Sequence, residues 1–434
     1  MISAADMAPR APAGFAAPAY PAAPARAGFR ERLLLMVLYV TVLASSVAFI
    51  EPSPHDALMG VLALCCVIVG VRIDRQIALL FILLIAWNIG GLLSLMNVPA
   101  DQKAIQYAAT SVYLAVAAMV FACILADNTM PRITVLRAAY VATAVIVAAC
   151  GAAGYLNAFP KAADLFAETG RAQGFFKDPN VFGPFLIWPT LVVMERLVMR
   201  RVGLIDLGLM TVLFLGLLLS FSRGAWIHFA ISCAVMLALC FLTAPSDRVR
   251  MRIVAMTVVA FALLAAFLAM ALSVDVIADM FKERFRLTQS YDVGEGGRFQ
   301  LQELALGAVL GLPNGMGPFG FSKTYGLQQH NVYLQAFLVY GWVGGVSYFL
   351  LLGATFLIAL RTVFVPTPWR PYLIAAVATF AGVVVEGMVI DTDHWRHFFL
   401  ILGMVWGLSA ATLKYKRERQ AAMPAEWAGH VGTA

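Results

Sequence analysis

Apolar residues in this chain gather into long runs separated by short polar stretches. Twelve such runs stand near residues 33–50, 57–71, 77–96, 104–126, 133–154, 181–195, 203–222, 225–244, 253–277, 332–360, 372–390 and 395–413. A helix of about 20 apolar residues crosses a hydrocarbon layer of about 30 Å while satisfying its own backbone polar groups. The pattern therefore predicts an all-α polytopic membrane protein with about 12 transmembrane helices. The runs near 57–71 and 181–195 are short, so each should extend into its flanks or sit where the bilayer is thinned.

Composition sharpens this reading. Of the 434 residues, 62% are apolar and only 13% charged, whereas a soluble domain is roughly half apolar and about a quarter charged. A water-soluble globular enzyme is excluded. The formal charge of +7 would point to nucleic acid in a soluble protein, but here it reports orientation, because Lys and Arg collect on cytoplasmic loops. With the N-terminus placed in the cytoplasm, 20 of the 31 basic residues fall on the inner segments, and every inner loop holds at least two. Both termini are thus expected inside. Cys65, Cys66, Cys123, Cys150, Cys233 and Cys240 all lie in apolar runs without zinc or CxxC spacing, so neither a disulfide framework nor a metal site is expected.

Residues 1–29 contain twelve Ala and five Pro and no apolar run, which predicts a disordered cytoplasmic tail rather than a cleaved leader. Residues 30–413 form the transmembrane domain and 414–434 a second cytoplasmic tail. Two outer segments, about 155–180 and 278–331, are long, polar and basic, and long loops in a compact protein are usually functional or disordered. Phe299, Leu301, Leu304, Ala305, Val309 and Leu310 follow a helical spacing within the second, which should fold back onto the bundle.

Charged groups at these outer ends are the candidates for chemistry, since charge at membrane depth is costly and usually faces a cavity or a partner. Arg223 sits in Ser222-Arg223-Gly224 between two runs joined by almost no loop. Its guanidinium offers a planar, permanently charged fork to a phosphate; the plainer alternative is an interfacial arginine beside Trp226. Arg298 follows Gly296-Gly297 where the loop helix starts, a place that suits an anion, or else is simply a solvated loop residue. His330 precedes Asn331, a natural N-cap, at the outer end of the tenth run. Histidine there is suited to taking a proton from a hydroxyl, although a lone interfacial histidine is often structural.

Weaker candidates are Arg171 and Lys177, in the stretch from Gly170 to Asn180, and Arg396, in the run from Asp391 to His397. Either stretch could be a salt-bridged turn. Glu386 is the most intramembrane acid and shows no partner in the sequence, while His228 reads as a hydrogen-bonded core residue. No Walker loop, HExxH or GxSxG is present.

The run His330-Asn331, nine residues, Gly341-Trp342-Val343-Gly344 resembles the H-[NSQ]-x9-G-x-x-[GTY] signature of bacterial O-antigen ligases. Ser222-Arg223-Gly224 is similar to the arginine-bearing segment of the wider ligase and polymerase superfamily, and the span count and outer loop resemble its layout over roughly residues 33–413. The resemblance implies a glycosyltransferase-C-like, metal-independent ligase of the bacterial inner membrane, needing no cofactor and working at the periplasmic face. It implies an undecaprenyl-pyrophosphate-linked glycan as donor and lipid A-core as acceptor. Arg223 and Arg298 would hold the pyrophosphate and His330 would activate the acceptor hydroxyl, with Arg171, Lys177, Asn331 and Arg396 as substrate-binding residues. An O-antigen or exopolysaccharide polymerase, which uses another lipid-linked glycan as acceptor, is the alternative. A transporter or flippase is a second one, though the charges gather at one face and no repeat is evident.

Overall fold

The computed structural model describes residues 28–98, 101–199, 202–273 and 297–422. Residues 1–27 of the N-terminal tail, residues 278–296 of the second long loop with Lys282, Arg284 and Arg286, and the chain from 423 onward lie outside the described residues. Helices occupy all twelve apolar runs, in the order α1 (Phe29–Leu43), α2 (Pro54–Val69), α3 (Ala78–Ser94), α4 (Gln102–Ala126) and α5 (Thr129–Tyr155). A short helix, α6 (Ala162–Phe166), leads into strands β1 (Ala167–Glu168) and β2 (Arg171–Ala172). Then come α7 (Pro179–Phe185), α8 (Ile187–Met199), α9 (Leu204–Leu219), α10 (Arg223–Leu242) and α11 (Asp247–Ala271). The loop helices α12 (Arg298–Gly311) and α13 (Gly320–Tyr325) precede α14 (Val332–Thr362), α15 (Arg370–Glu386) and α16 (Arg396–Ala421).

Among the described residues, seven segments are long and apolar enough to cross a membrane: Arg75–Asn97, Gln102–Ala126, Thr129–Tyr155, Pro179–Met199, Arg223–Leu242, Val332–Thr362 and Arg396–Ala421. The short run near 181–195 does extend into its flanks, α7 and α8 together forming the Pro179–Met199 segment. The run near 57–71 stays short as α2, with a capping box between Ser53 and Asp56 and a left-handed Gly70 at its end.

In lipid there is no hydrophobic drive between helices, so close backbone approach and polar contacts must hold them. Gly403 and Gly407 bring α16 onto α4: an added Cβ would lie 2.7 Å from the Ala118 carbonyl at the first and 2.6 Å from that of Ala122 at the second. The Pro179–Met199 and Arg396–Ala421 segments are each 83% buried over their apolar windows and make the centre of the bundle, whereas Arg223–Leu242 is only 28% buried and lies at its rim. Around the centre, α14 packs on α3, α10 on α15, and α5 on α1 and α9.

Four features depart from the simple run-by-run picture. The first long loop contains an antiparallel hairpin, β1 with β2, turned through Thr169 and Gly170, both with positive φ as a two-residue hairpin turn requires. α16 continues eight residues past the expected boundary at 413, into the basic tail. α12 does fold back, but only Leu301, Ala305 and Val309 of the six expected positions are buried, one stripe of the helix facing Leu338 and Phe321. Finally, α14 is not one straight span: Gly341, with φ 64° and ψ −173°, breaks it after its first nine residues.

Candidate functional site

His330 ends an irregular stretch and adopts a positive φ of 48°, unusual for a residue with a side chain and a mark of a position held by its surroundings. Asn331 caps α14, its Oδ1 accepting from the backbone N–H groups of Tyr333 (3.0 Å) and Leu334 (3.1 Å). The same side chain donates through Nδ2 to the Met388 carbonyl at 3.1 Å, and Val332 N–H donates to the Gly387 carbonyl at 2.8 Å. These bonds dock the start of α14 on the turn joining α15 to α16. There His330 Nδ1 lies 3.5 Å from Asp391 Oδ2. The imidazole is 48% exposed and the carboxylate 20%, so the ring lies at the protein surface with its partner behind it.

A buried polar network supports this turn from below. Asp393 accepts from Tyr107 Oη at 2.6 Å and Tyr340 Oη at 3.2 Å, and pairs with His394 Nδ1 at 3.2 Å. Gln335 donates to Tyr107 Oη at 3.1 Å and accepts from Gln329, next to His330. The two acids are driven apart. Burial pushes the Asp391 carboxyl above the usual aspartate range, and nearby Asp393 adds to that, against the opposing hydrogen bond from His330. Burial works in the same sense on Asp393, but the charge of His394 and the hydrogen bonds of His394, Tyr107 and Tyr340 outweigh it and hold that carboxyl below the range.

The Arg223 turn meets the same end of the bundle. Phe221 has φ 46°, Ser222 caps α10 by accepting from Ala225 N–H at 3.3 Å, and Arg223 is the first residue of the helix. Gly224 packs against α15: an added Cβ would lie 2.8 Å from Glu386 Oε1. The next residue, Gly387, is the one that receives Val332 N–H. The end of α15 therefore touches both the Arg223 turn and the His330 turn. Arg171 fastens the hairpin loop to this assembly, donating to the Ser220 carbonyl at 2.9 Å and to Asn180 Oδ1 at 2.8 Å.

Arg298 opens α12; its side chain lies outside the described residues. One turn later, Gln302 donates to the Gln329 carbonyl at 3.4 Å, which sets the start of α12 beside His330. Lys177 and Arg396 are engaged elsewhere. Lys177 pairs with Glu51 at 2.9 Å near the first loop, and Arg396 makes a bidentate pair with Asp56, both bonds 2.8 Å, tying α16 to α2. Among the described residues, no three His, Cys, Asp or Glu side chains converge as metal ligands. Asp391 is the group that sequence reasoning left among the weak candidates. Its only signal in the sequence is a carboxylate in the turn before the last apolar run, and nothing local ties it to His330.

The spacing of the His330 to Gly344 run now has a structural cause. The nine residues after Asn331 are the first helical piece of α14, about 13 Å long. Gly341 then turns the chain so that Trp342 N–H reaches the Pro313 carbonyl at 2.8 Å, and an added Cβ would itself lie 2.8 Å from that oxygen. Gly344 lets Gly90 of α3 cross at backbone contact. No curated protein matches the chain. Residues 208–349, which hold the Arg223 turn, α12, His330 and both of these glycines, match the family model described as O-antigen ligase, which supports a likeness to the O-antigen ligase superfamily over that segment.

Proposed function

We propose that the chain transfers a glycan from undecaprenyl pyrophosphate to a sugar hydroxyl of lipid A-core, at the periplasmic face of the bacterial inner membrane. The observation that carries this reading is the pairing of His330 with Asp391 on the same helix end that receives the Arg223 turn. Asp391 holds Nδ1 of the imidazole, so Nε2 faces the acceptor. That nitrogen takes the proton of the acceptor hydroxyl as its oxygen attacks the anomeric carbon. The bond from that carbon to the pyrophosphate oxygen breaks, and its electron pair leaves with the pyrophosphate. Arg223 and Arg298 receive the growing charge, worth most in a site that excludes water.

Arg171 serves this site through the Ser220 carbonyl and Asn331 through the cap of α14. In this reading the chain crosses the membrane at all twelve apolar runs, with both termini in the cytoplasm, and the arginines supply the charge stabilisation without a metal or cofactor. The bond to the pyrophosphate supplies the free energy. The complete His330 to Gly344 signature supports a ligase over a polymerase.

A deletion strain examined on a lipopolysaccharide gel tests this. The ligase reading expects lipid A-core without any O-antigen, and lipid-linked chains accumulating. A single attached repeat would make the protein a polymerase, and an unchanged ladder would overturn both.

A further inference from the structure

Behind the Arg223 turn lies an acid–imidazole pair to which the transfer reaction assigns no work. Glu386, the last residue of α15, is 1% exposed, and its Oε2 lies 2.7 Å from Nδ1 of His228 in α10, which is fully buried. Nε2 of the same ring lies 3.0 Å from the Thr379 carbonyl. A carbonyl only accepts, so Nε2 carries a hydrogen, and one proton is shared between Nδ1 and Oε2. Whichever partner holds it, the pair is neutral as a whole, which makes its burial tolerable.

The packing around the pair is keyed residue to residue. Gly224 and His228 are four apart and share the face of α10 that meets α15. Gly224 leaves room for the Glu386 carboxylate, and Gly382, on α15, leaves room for the His228 ring. A buried acid opposite a glycine sets both the rotation and the height of α10 against α15. Glu386 is followed at once by Gly387 and Met388, whose carbonyls hold Val332 N–H and Asn331 Nδ2, while Tyr333 Oη bonds to the Val384 carbonyl. The end of α15 is thus bonded to the His330 turn on one side and keyed by Glu386 to the Arg223 turn on the other.

We infer that Glu386, braced by His228, is a positioning residue that fixes the Arg223 guanidinium relative to the His330 imidazole. This rests on the proposed roles of those two residues. It acts through Arg223 and touches no substrate. Removing the brace leaves both groups present but out of register, and a misplacement of about 1 Å costs on the order of 10²-fold in rate.

The test is a double-mutant cycle on the full-length protein in vesicles, with kcat and KM for the lipid-linked donor measured for Glu386→Ala, Arg223→Lys and the pair. Glu386→Ala should lower kcat at least tenfold with little change in KM, and should cost nothing further in the Arg223→Lys background. Glu386→Gln, which keeps the shape and a hydrogen bond to His228, should recover most of the rate. Gly224→Ala should be impaired alone but no worse than Glu386→Ala when the two are combined. Equal losses from Glu386→Ala in both Arg223 backgrounds would make Glu386 a merely structural acid and overturn the inference. A wild-type rate in Glu386→Ala would overturn it too, whereas a wild-type rate in Arg223→Lys would instead overturn the proposed role of Arg223.

Discussion

Asp391 and Asp393 stand two residues apart in one turn, and their surroundings drive them in opposite directions. Because burial raises Asp391, its ionised form costs the fold stability, and that cost disappears as the pH falls through its folded titration. Asp391→Asn should therefore leave the melting temperature at neutral pH unchanged or higher. It also replaces the carboxylate at His330 Nδ1 with a neutral amide, a weaker acceptor that does not stabilise the protonated ring, so transfer should fall roughly 10- to 10²-fold, within what a misdirected base costs. Asp393 has the reverse sign. Its lowered titration contributes stability above the usual aspartate range, which is lost only as the pH falls through the folded value. Asp393→Asn leaves the donors of Tyr107, Tyr340 and His394 facing an uncharged acceptor, and should destabilise the protein at neutral pH by about 1–3 kcal/mol. Thermal unfolding and transfer rates of the two variants at pH 7 check this, and equal melting shifts would contradict it.

At the level of elements, the working end of α14 depends on its break. Gly341→Ala forces a side chain into a positive φ and within 2.8 Å of the Pro313 carbonyl. About 1–3 kcal/mol of strain should appear as a lowered melting temperature, with transfer reduced because α12 and the His330 turn shift together. Gly307→Ala is the matched control: it lies inside α12, where an added Cβ meets nothing within 4 Å, and should stabilise by about 0.5–1 kcal/mol. An unchanged Gly341→Ala would contradict the structural account of the signature glycine. The run positions alone predict the helices because a segment long enough to cross lipid has few other ways to satisfy its backbone. The β1–β2 hairpin was not legible, since two strands of two residues carry no alternating pattern. The break at Gly341 was not legible either, because one glycine in an apolar run fits a straight helix equally well until Pro313 is known to lie beside it.

Across the whole molecule, the site is assembled from segments far apart in the chain, and this decides what a single sequence reveals. His330 and Arg223 stand out as candidates in the sequence because each sits in a short local motif at the end of an apolar run. Asp391 was not legible as the partner of His330, nor Glu386 as the partner of His228, because each pairing exists only once α15 is laid against α10 and α14. For Lys177 and Arg396 the resemblance implies contact with substrate, and nothing local in the sequence announces a protein partner for either. Their pairs with Glu51 and Asp56 show how tertiary structure engages a charge that sequence leaves unassigned. The central claim is that His330 takes the proton in glycan transfer. Its most direct measurement is the rate at which purified protein in vesicles moves glycan from undecaprenyl pyrophosphate to lipid A-core, wild type against His330→Ala. The account predicts transfer by the wild type and a fall of about 10²- to 10⁴-fold in the variant, at unchanged membrane insertion and melting temperature. A wild-type rate in His330→Ala would contradict it.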